Sequence, residues 1–173
     1  MTFVPAVYQA EMRSLVTAAI RAWRALELPA RKPIFTVSIW TDPNAAASAV
    51  SIDTRENSDC QVREVNEYNQ RQHDRLVQEG DFEMAAHFED RATRNCNPAD
   101  FAFREIASCR HDCFPENWED KSVGACWDQL EPALATVAAW ACSEFQQLDL
   151  EPEAELAVNS RRDWYDNTWR LRA

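Results

Sequence analysis

Glycine is almost absent from this chain: only Gly80 and Gly124 occur among its 173 residues. Phosphate-cradling loops, dinucleotide-binding turns and the sharp turn that presents a serine nucleophile all need glycine, because the backbone bends there in ways that a side chain obstructs. The scarcity of glycine therefore argues against the enzyme classes that rely on such loops. It favours a protein that binds another molecule over one that converts it.

Long apolar runs are also missing, since no stretch of 18 apolar residues occurs. The first eight residues lack the basic region and apolar core of a secretion signal. We therefore expect a cytoplasmic protein without a membrane-spanning helix. The six cysteines are then expected to be reduced and packed as small hydrophobic side chains; they are Cys60, Cys96, Cys109, Cys113, Cys126 and Cys142.

Acidic charge is the most uneven feature of the sequence. The chain has a formal net charge of −11, and residues 112–155 contain eleven acidic residues and a single base, Lys121. Phosphates would repel such a chain, so we expect no nucleic-acid ligand. A basic protein surface would attract it. A soluble, solvated surface would show a similar charge run, so both interpretations stay open at this point.

Hydrophobic spacing in the first third predicts a helix over residues 6–27, a strand over 33–40, a turn over 41–44 and a strand over 47–54. In the predicted first strand, Phe35, Val37 and Ile39 point one way, and Thr36, Ser38 and Trp40 point the other. A charged helical insertion over residues 56–95 should follow, with a second helix from Phe82 to Arg94.

Later segments predict a strand over 101–106, helical structure over 117–147, a short strand over 154–158 and a closing helix over 162–172. Pro132 lies within the long helical pattern and should kink it or begin a second helix. Together these segments predict a single α+β domain over residues 1–173, with helices packed on a small, mainly antiparallel sheet.

Candidate reactive residues cluster at Cys109, His111 and Cys113, with Cys126 downstream. Their spacing does not match a zinc knuckle, and on a helix His111 would point away from the two flanking cysteines. His73 and His87 also lie among carboxylates, but without a metal-binding spacing. We therefore predict no metal, no cofactor and no catalytic residue.

Two short motifs carry a resemblance to a known family. Trp40-Thr41-Asp42 ends the first predicted strand, and Asp53-Thr54-Arg55-Glu56 ends the second. The chain resembles a bacterial family of unknown function whose members end these strands in Tyr-Thr-Asp-Asp and Asn-Thr-Glu-Glu. A Trp-x-Pro segment follows in that family, for which Asn97-Pro98 and Phe101 stand in here. Asp53 and Arg55 depart from the family pattern, and residues 56–95 are longer than it needs.

Members of that family resemble immunity proteins of polymorphic and secretion-system toxins, such as those of type VI secretion. The resemblance implies a cytoplasmic immunity protein that binds a cognate bacterial toxin and blocks its active site. It brings no catalytic residues. The predicted partner has a basic surface, and the candidate binding residues are Glu116, Trp118, Glu119, Asp120, Asp128, Glu131, Asp149, Glu151, Glu153 and Glu155.

Trp40, Trp118, Trp164 and Trp169 lie at the ends of predicted elements or among charges. They either anchor an interface or cover the rim of the core, and the sequence does not separate these roles. Two further functions stay open: a small hydrolase or transferase that uses carboxylates and a histidine, and an acidic DNA mimic or adaptor.

Overall fold

Five strands form one mixed sheet in the order β3-β2-β1-β4-β5 in a computed structural model that describes residues 2–27 and 32–171. Neighbouring strands are antiparallel except for β1 and β4, which run parallel. The predicted class, a single α+β domain with a mainly antiparallel sheet, is confirmed. The strand bounds are β1 Ile34–Asp42, β2 Ala47–Thr54, β3 Phe103–Arg110, β4 Leu150–Val158 and β5 Asn167–Arg170.

Two long helices, α1 and α5, pack against each other and cover one face of the sheet, which we call the helical face. None of the helices in the described residues combines the length and apolar content needed to cross a membrane. The helix bounds are α1 Pro5–Ala25, α2 Arg55–Glu79, α3 Phe82–Ala86, α4 Trp118–Ser122 and α5 Trp127–Phe145, with one 3₁₀ turn at Pro98–Asp100.

The central strand β1 is buried along most of its length. Val37 and Ile39 belong to the core under α1 and α5, as the sequence predicts, but Phe35 does not. The pairing of β1 is irregular between Ile34 and Thr36, so Ile34 takes the core position and Phe35 lies on the other face, which we call the loop face. The predicted alternation is therefore wrong at Phe35, because a bulge shifts the period by one residue.

Helix α2 begins directly after β2, where the Thr54 side chain accepts a hydrogen bond from the Asn57 amide. It ends at Gly80, whose φ of 79° needs glycine. Only Ser58 and Leu76 are buried in α2, which agrees with a charged helical segment. The predicted helix Phe82–Arg94 is wrong beyond Ala86, because the chain turns back along α2 and Asn66 binds both backbone groups of Ala92.

The predicted helical region 117–147 is divided into α4 and α5. The division falls at Val123 and Gly124, which both have positive φ. Pro132 lies inside a continuous α5 and does not begin a new helix. It is tolerated in the second turn because the only carbonyl that loses its partner is that of Asp128, an exposed residue of the first turn.

The closing helix predicted over 162–172 is wrong over the described residues. The chain from Asn167 to Arg170 instead forms β5, paired antiparallel with β4. Trp169 lies opposite Leu156 and packs against the core, while Asn167 and Thr168 are exposed. A four-residue edge strand carries too few residues to show its own period, and the spacing of Trp164 and Trp169, of which only Trp169 lies in β5, does not indicate a helix.

Val123 is the least favourable backbone position that we find in the described chain. It is a β-branched residue with a φ of 54°, and 81% of its surface is exposed. We expect Val123→Gly to raise the free energy of unfolding by about 1 kcal/mol, because the left-handed conformation costs glycine nothing. Thermal denaturation would measure this. The companion change Gly124→Ala should lower stability, since φ is 81° there. A lower melting temperature for Val123→Gly would contradict the assignment.

Candidate functional site

A chain of buried polar side chains connects α1 to the sheet. Glu11 Oε2 lies 2.6 Å from His111 Nδ1, and His111 Nε2 lies 2.7 Å from Ser48 Oγ. Thr41 Oγ1 continues the chain at 2.6 Å from Ser48 Oγ and 2.7 Å from the Tyr8 hydroxyl. Burial raises the pKa of Tyr8, so its hydroxyl keeps its proton, and a carboxylate only accepts; donation from Tyr8 through Thr41 and Ser48 to His111 and on to Glu11 is an arrangement consistent with both. This direction leaves no hydroxyl proton without an acceptor.

The order Glu11–His111–Ser48 matches the acid, base and nucleophile of a serine hydrolase. Ser48 is fully buried, however, and a buried hydroxyl has no path to a substrate in this conformation. The chain instead holds α1 against the β1–β2 hairpin and satisfies polar groups that burial would otherwise leave unpaired. The sequence placed His111 among cysteines and did not anticipate Glu11 or Ser48, because both partners are distant in sequence.

Cys109 lies beside this chain, with its sulfur 3.8 Å from His111 Nε2. Cys109 is in β3 and Cys113 follows in a turn, so the expectation based on a helix does not apply. Burial and the charge of Glu11 raise the pKa of the Cys109 thiol to about 11, whereas a cysteine nucleophile needs a lowered pKa. Within residues 2–27 and 32–171, no group of three or more histidine, cysteine or acidic side chains is arranged to hold a metal ion.

The residues that carry the family resemblance have structural partners. The Asp53 carboxylate accepts hydrogen bonds from the amides of Thr54 and Ala102 and from the side chains of Asn57 and Asn95. It thereby joins β2, the start of α2 and the loop before β3. Burial raises the pKa of Asp53. The four hydrogen bonds act in the opposite direction, because they stabilise the charged carboxylate.

Asp42 ends the hairpin motif and fixes the predicted turn. Its Oδ1 accepts from the amides of Asn44 and Ala45. Asn44 in turn accepts from the amides of Glu119 and Asp120, so the β1–β2 turn caps α4. The sequence predicts the turn but not its role as the cap of a helix that begins at residue 118.

The ten candidate residues fall into two groups: the later ones lie just before or within β4, and the others lie around α4 and the start of α5. Glu151, Glu153 and Glu155 are paired with Arg55 and Arg94, which offset much of their charge. Asp149, just before β4, accepts the Ile34 amide through its backbone carbonyl, and its side chain is exposed. A single docking surface over all ten candidate residues is therefore not what the fold presents.

The remaining candidates lie around α4 and the start of α5. We call Glu116, Asp120, Asp128 and Glu131 the acidic end; all four are exposed, and the pair of Glu116 with Lys121 is highly exposed and weak. Glu119 is a partly buried member of the region, and its carboxylate accepts the indole proton of Trp127 at 2.7 Å. Glu119 thus has a structural partner and is not a free surface charge.

Trp118 does not belong to the surface. Its exposed fraction is 7%, and its ring lies 4.7 Å from Phe3 and 5.1 Å from Phe114. The prediction of Trp118 as an interface residue is wrong, because the indole enters the core while the nearby carboxylates of Glu116 and Asp120 are exposed. Trp169 also packs against the core from β5.

Trp40 and Trp164 form the accessible aromatic pair. Their ring centroids are 5.7 Å apart at 86°, and 52% of Trp164 is exposed. They line a pocket of about 540 Å³ on the loop face, a size suited to a small ligand or a single side chain. Its other lining residues are Asp42, Ser51, Asn97, Pro98, Ala99, Arg104 and Glu105.

Asp42 and Trp164 also line a second, smaller cavity of about 210 Å³ that reaches Glu119 and Trp127. The tryptophan pocket therefore adjoins the acidic end through the 159–164 loop. Arg161 spans part of this boundary, because it donates to the Val123 carbonyl and its amide donates to Glu131. Val123 directly follows α4, and Trp164 lines the smaller cavity that reaches Glu119; both side chains are exposed.

Comparison of the chain with protein-family models, with curated proteins and with solved structures gives no match.

The Cys109 thiol should react slowly with iodoacetamide in the native protein. With a pKa of about 11, about one thiol in a thousand is ionised at pH 8, and the thiolate is the reactive form. Mass spectrometry of alkylated peptides would follow the reaction, with urea-unfolded protein at the same pH as the control in which Cys109 reacts readily. Rapid alkylation of Cys109 in the native protein would contradict this prediction and reopen a cysteine–histidine pair.

Proposed function

We propose that this chain is an immunity-type inhibitor, which binds a basic surface of a bacterial toxin in the cytoplasm and blocks the toxin's active site. The observation that carries the proposal is the acidic end: its four carboxylates are exposed, the exposed Val123 directly follows α4, and the exposed Trp164 lines a cavity that reaches Glu119. Solvated charge alone does not require exposed apolar residues in its midst. The short resemblance at residues 35–57 supports the same function and stays a prediction.

This combination has the composition of a protein-binding surface. Apolar and aromatic side chains provide most of the affinity at interfaces, whereas rim charges accelerate association and set orientation. A toxin that cleaves nucleic acid carries a basic cleft for phosphates, and exposed carboxylates would occupy that cleft in place of the phosphates. The net charge of −11 favours such a partner and disfavours nucleic acid itself.

The decisive experiment concerns the neighbouring gene. An immunity gene should lie directly beside a gene whose product is toxic when expressed alone. We expect co-expression of this chain to restore growth, and the two purified proteins to form a stable complex. A neighbour that is not toxic, or a toxic neighbour that this chain neither binds nor neutralises, would overturn the proposal. Binding to a protein that is not a toxin would favour an adaptor.

Charge reversal of Glu116, Asp120 and Asp128 to lysine should slow association with the toxin about ten-fold at low salt, since rim charges act mainly on the association rate. The difference should shrink at about 0.5 M salt, where the charges are screened. Glu119 is left unchanged because it binds Trp127. Asp120 accepts an exposed hydrogen bond from the Asn44 side chain, and loss of such an exposed contact should cost little stability. Surface plasmon resonance would measure both rate constants.

The matched control reverses Glu64, Glu83 and Glu89, which are exposed carboxylates on α2, α3 and the segment after α3. This variant has the same net charge but should associate at a rate close to that of the unchanged protein. Equal slowing of both variants would mean that net charge alone acts, and that the acidic end is not the interface. Melting temperatures of the two variants would show that neither has lost its fold.

A further inference from the structure

The tryptophan pocket has two aromatic walls at a right angle. Trp40 is half-buried at the end of β1, and Trp164 lies across from it in the loop after β4. The two rings meet edge to face, and the indole surface left open to the pocket can attract a cation, since indole is the aromatic group that does so most strongly. The pocket is open enough for a flat cationic group to enter beside the exposed Trp164.

Two carboxylates line the same pocket, and one of them is there because of a backbone irregularity. Arg104 and Glu105 are consecutive residues of β3, yet both line the pocket, although successive strand residues normally face opposite sides. Glu105 has a φ of 45°, its amide donates to Ser51 Oγ, and the β2–β3 pairing shifts at this point. The bulge turns Glu105 away from the helical face and towards the pocket.

The bulge explains the position of the carboxylate but does not require glutamate. Glycine takes a positive φ without strain and is the usual residue at such a bulge. Glu105 therefore has an unfavourable backbone conformation, and its side chain places a negative charge at the pocket. Asp42 adds a second carboxylate, whose Oδ1 is occupied by the β1–β2 turn.

The same sheet face already shows the chemistry that these groups favour. At the other end of β1, the Arg94 guanidinium lies 3.7 Å and that of Arg55 4.2 Å from the centroid of the Phe35 ring. Arg94 is also 3.1 Å from Glu155. Arginine stacks on an aromatic ring while its fork of N–H groups meets a carboxylate. The tryptophan pocket offers the same two kinds of partner.

Arg104 is the cation that lines the pocket, but its guanidinium donates to the Ala99 carbonyl at 3.4 Å. The cation–aromatic contacts in the described chain involve Phe35 and Trp140, not Trp40 or Trp164. The two carboxylates outnumber the single arginine, so the lining carries a net negative charge. A cation from outside the chain can therefore enter the pocket beside the indoles.

We propose that Trp40, Trp164, Asp42 and Glu105 form a recognition site for an arginine side chain of the partner protein. This rests on the proposed function for the source of the arginine, and it extends the binding surface from the acidic end to the adjoining pocket. Arginine fits better than lysine because its planar group can stack on indole and bind a carboxylate at the same time.

The test uses short peptides, so it needs no partner. Acetyl-Gly-Arg-Gly-amide is titrated into ¹⁵N-labelled protein, and the indole N–H signals of Trp40 and Trp164 are followed by NMR. We expect saturable shifts with a dissociation constant of about 1–10 mM, as befits one side chain. The peptide with citrulline, which is neutral and has the same shape, should leave both signals in place. The Trp140 signal serves as an internal reference.

Three variants examine the assignment. Trp164→Ala should weaken arginine binding about five-fold or more, and Glu105→Gln should weaken it several-fold through lost charge. Glu105→Gly should weaken binding while raising the melting temperature, because it removes both the carboxylate and the strain. Ala46→Gly is the matched control, since Ala46 also has a positive φ (49°) but does not line the pocket. It should raise stability without changing binding.

Three results would overturn the proposal: no saturable shift of the Trp40 and Trp164 signals, equal shifts with the citrulline peptide, or binding that Trp164→Ala leaves unchanged. Tighter binding of tetramethylammonium than of the arginine peptide would also overturn it, in favour of a free quaternary ammonium ligand. Because these measurements contain no toxin, failure of the arginine site would leave rescue by co-expression unaffected. Failure of rescue would likewise leave peptide binding measurable.

Discussion

Burial of β1 on both faces is the constraint on which the rest of the structure depends. On the helical face, the apolar residues of β1 pack against α1 and α5. Thr36, Ser38 and Thr41 of the same strand, however, are polar and fully buried. Buried hydroxyls need partners, and these come from distant segments: Arg94 donates to Thr36, while Tyr8 and Ser48 bond Thr41. The Ser38 hydroxyl is the one buried side-chain polar atom in the described residues without a partner. The loops and α1 are therefore held in place by the polar groups of one strand.

This constraint also decides which polar residues are left for function. His111, Asp53 and Glu119 are residue types that often occur in active sites. Each of them, however, has a hydrogen-bond partner inside the fold. Breaking these hydrogen bonds would cost free energy, because the partner left behind would be buried and unpaired. Beside the carboxyl ends of β1 and β4, the acidic end, Val123 and the Trp40–Trp164 pocket stay accessible. Binding through surface charge and aromatic contact is the activity that these groups support.

The sequence predicts local structure well where a single hydrophobic period extends over a whole helix or strand. It places α1, β1, the turn and β2 within two residues of their observed bounds, because each has an unbroken apolar spacing and a turn or proline at its end. It fails at Phe35, Trp118, Glu105 and β5, where the outcome depends on a neighbour distant in sequence. A bulge moves Phe35 and Glu105 to the loop face, and the core contacts of Phe3 and Phe114 draw in Trp118. Nothing in the local spacing around these residues signals either event.

Charge along the chain is likewise a poor guide to charge on the surface. Residues 112–155 form one acidic run in sequence, but the later part of this run lies in β4. There, Arg55 of α2 and Arg94 of the segment after α3 offset much of its charge. Around the earlier part, Lys121 is highly exposed and Arg161 approaches from the loop after β4, so the four exposed carboxylates outnumber these two bases. Of the ten candidate residues, the four whose carboxylates lie exposed around α4 and the start of α5 are the ones most available to a partner. The tryptophan pocket adjoins this acidic end, and its carboxylate at Glu105 is there only because the backbone is held in a conformation that glycine would adopt more easily.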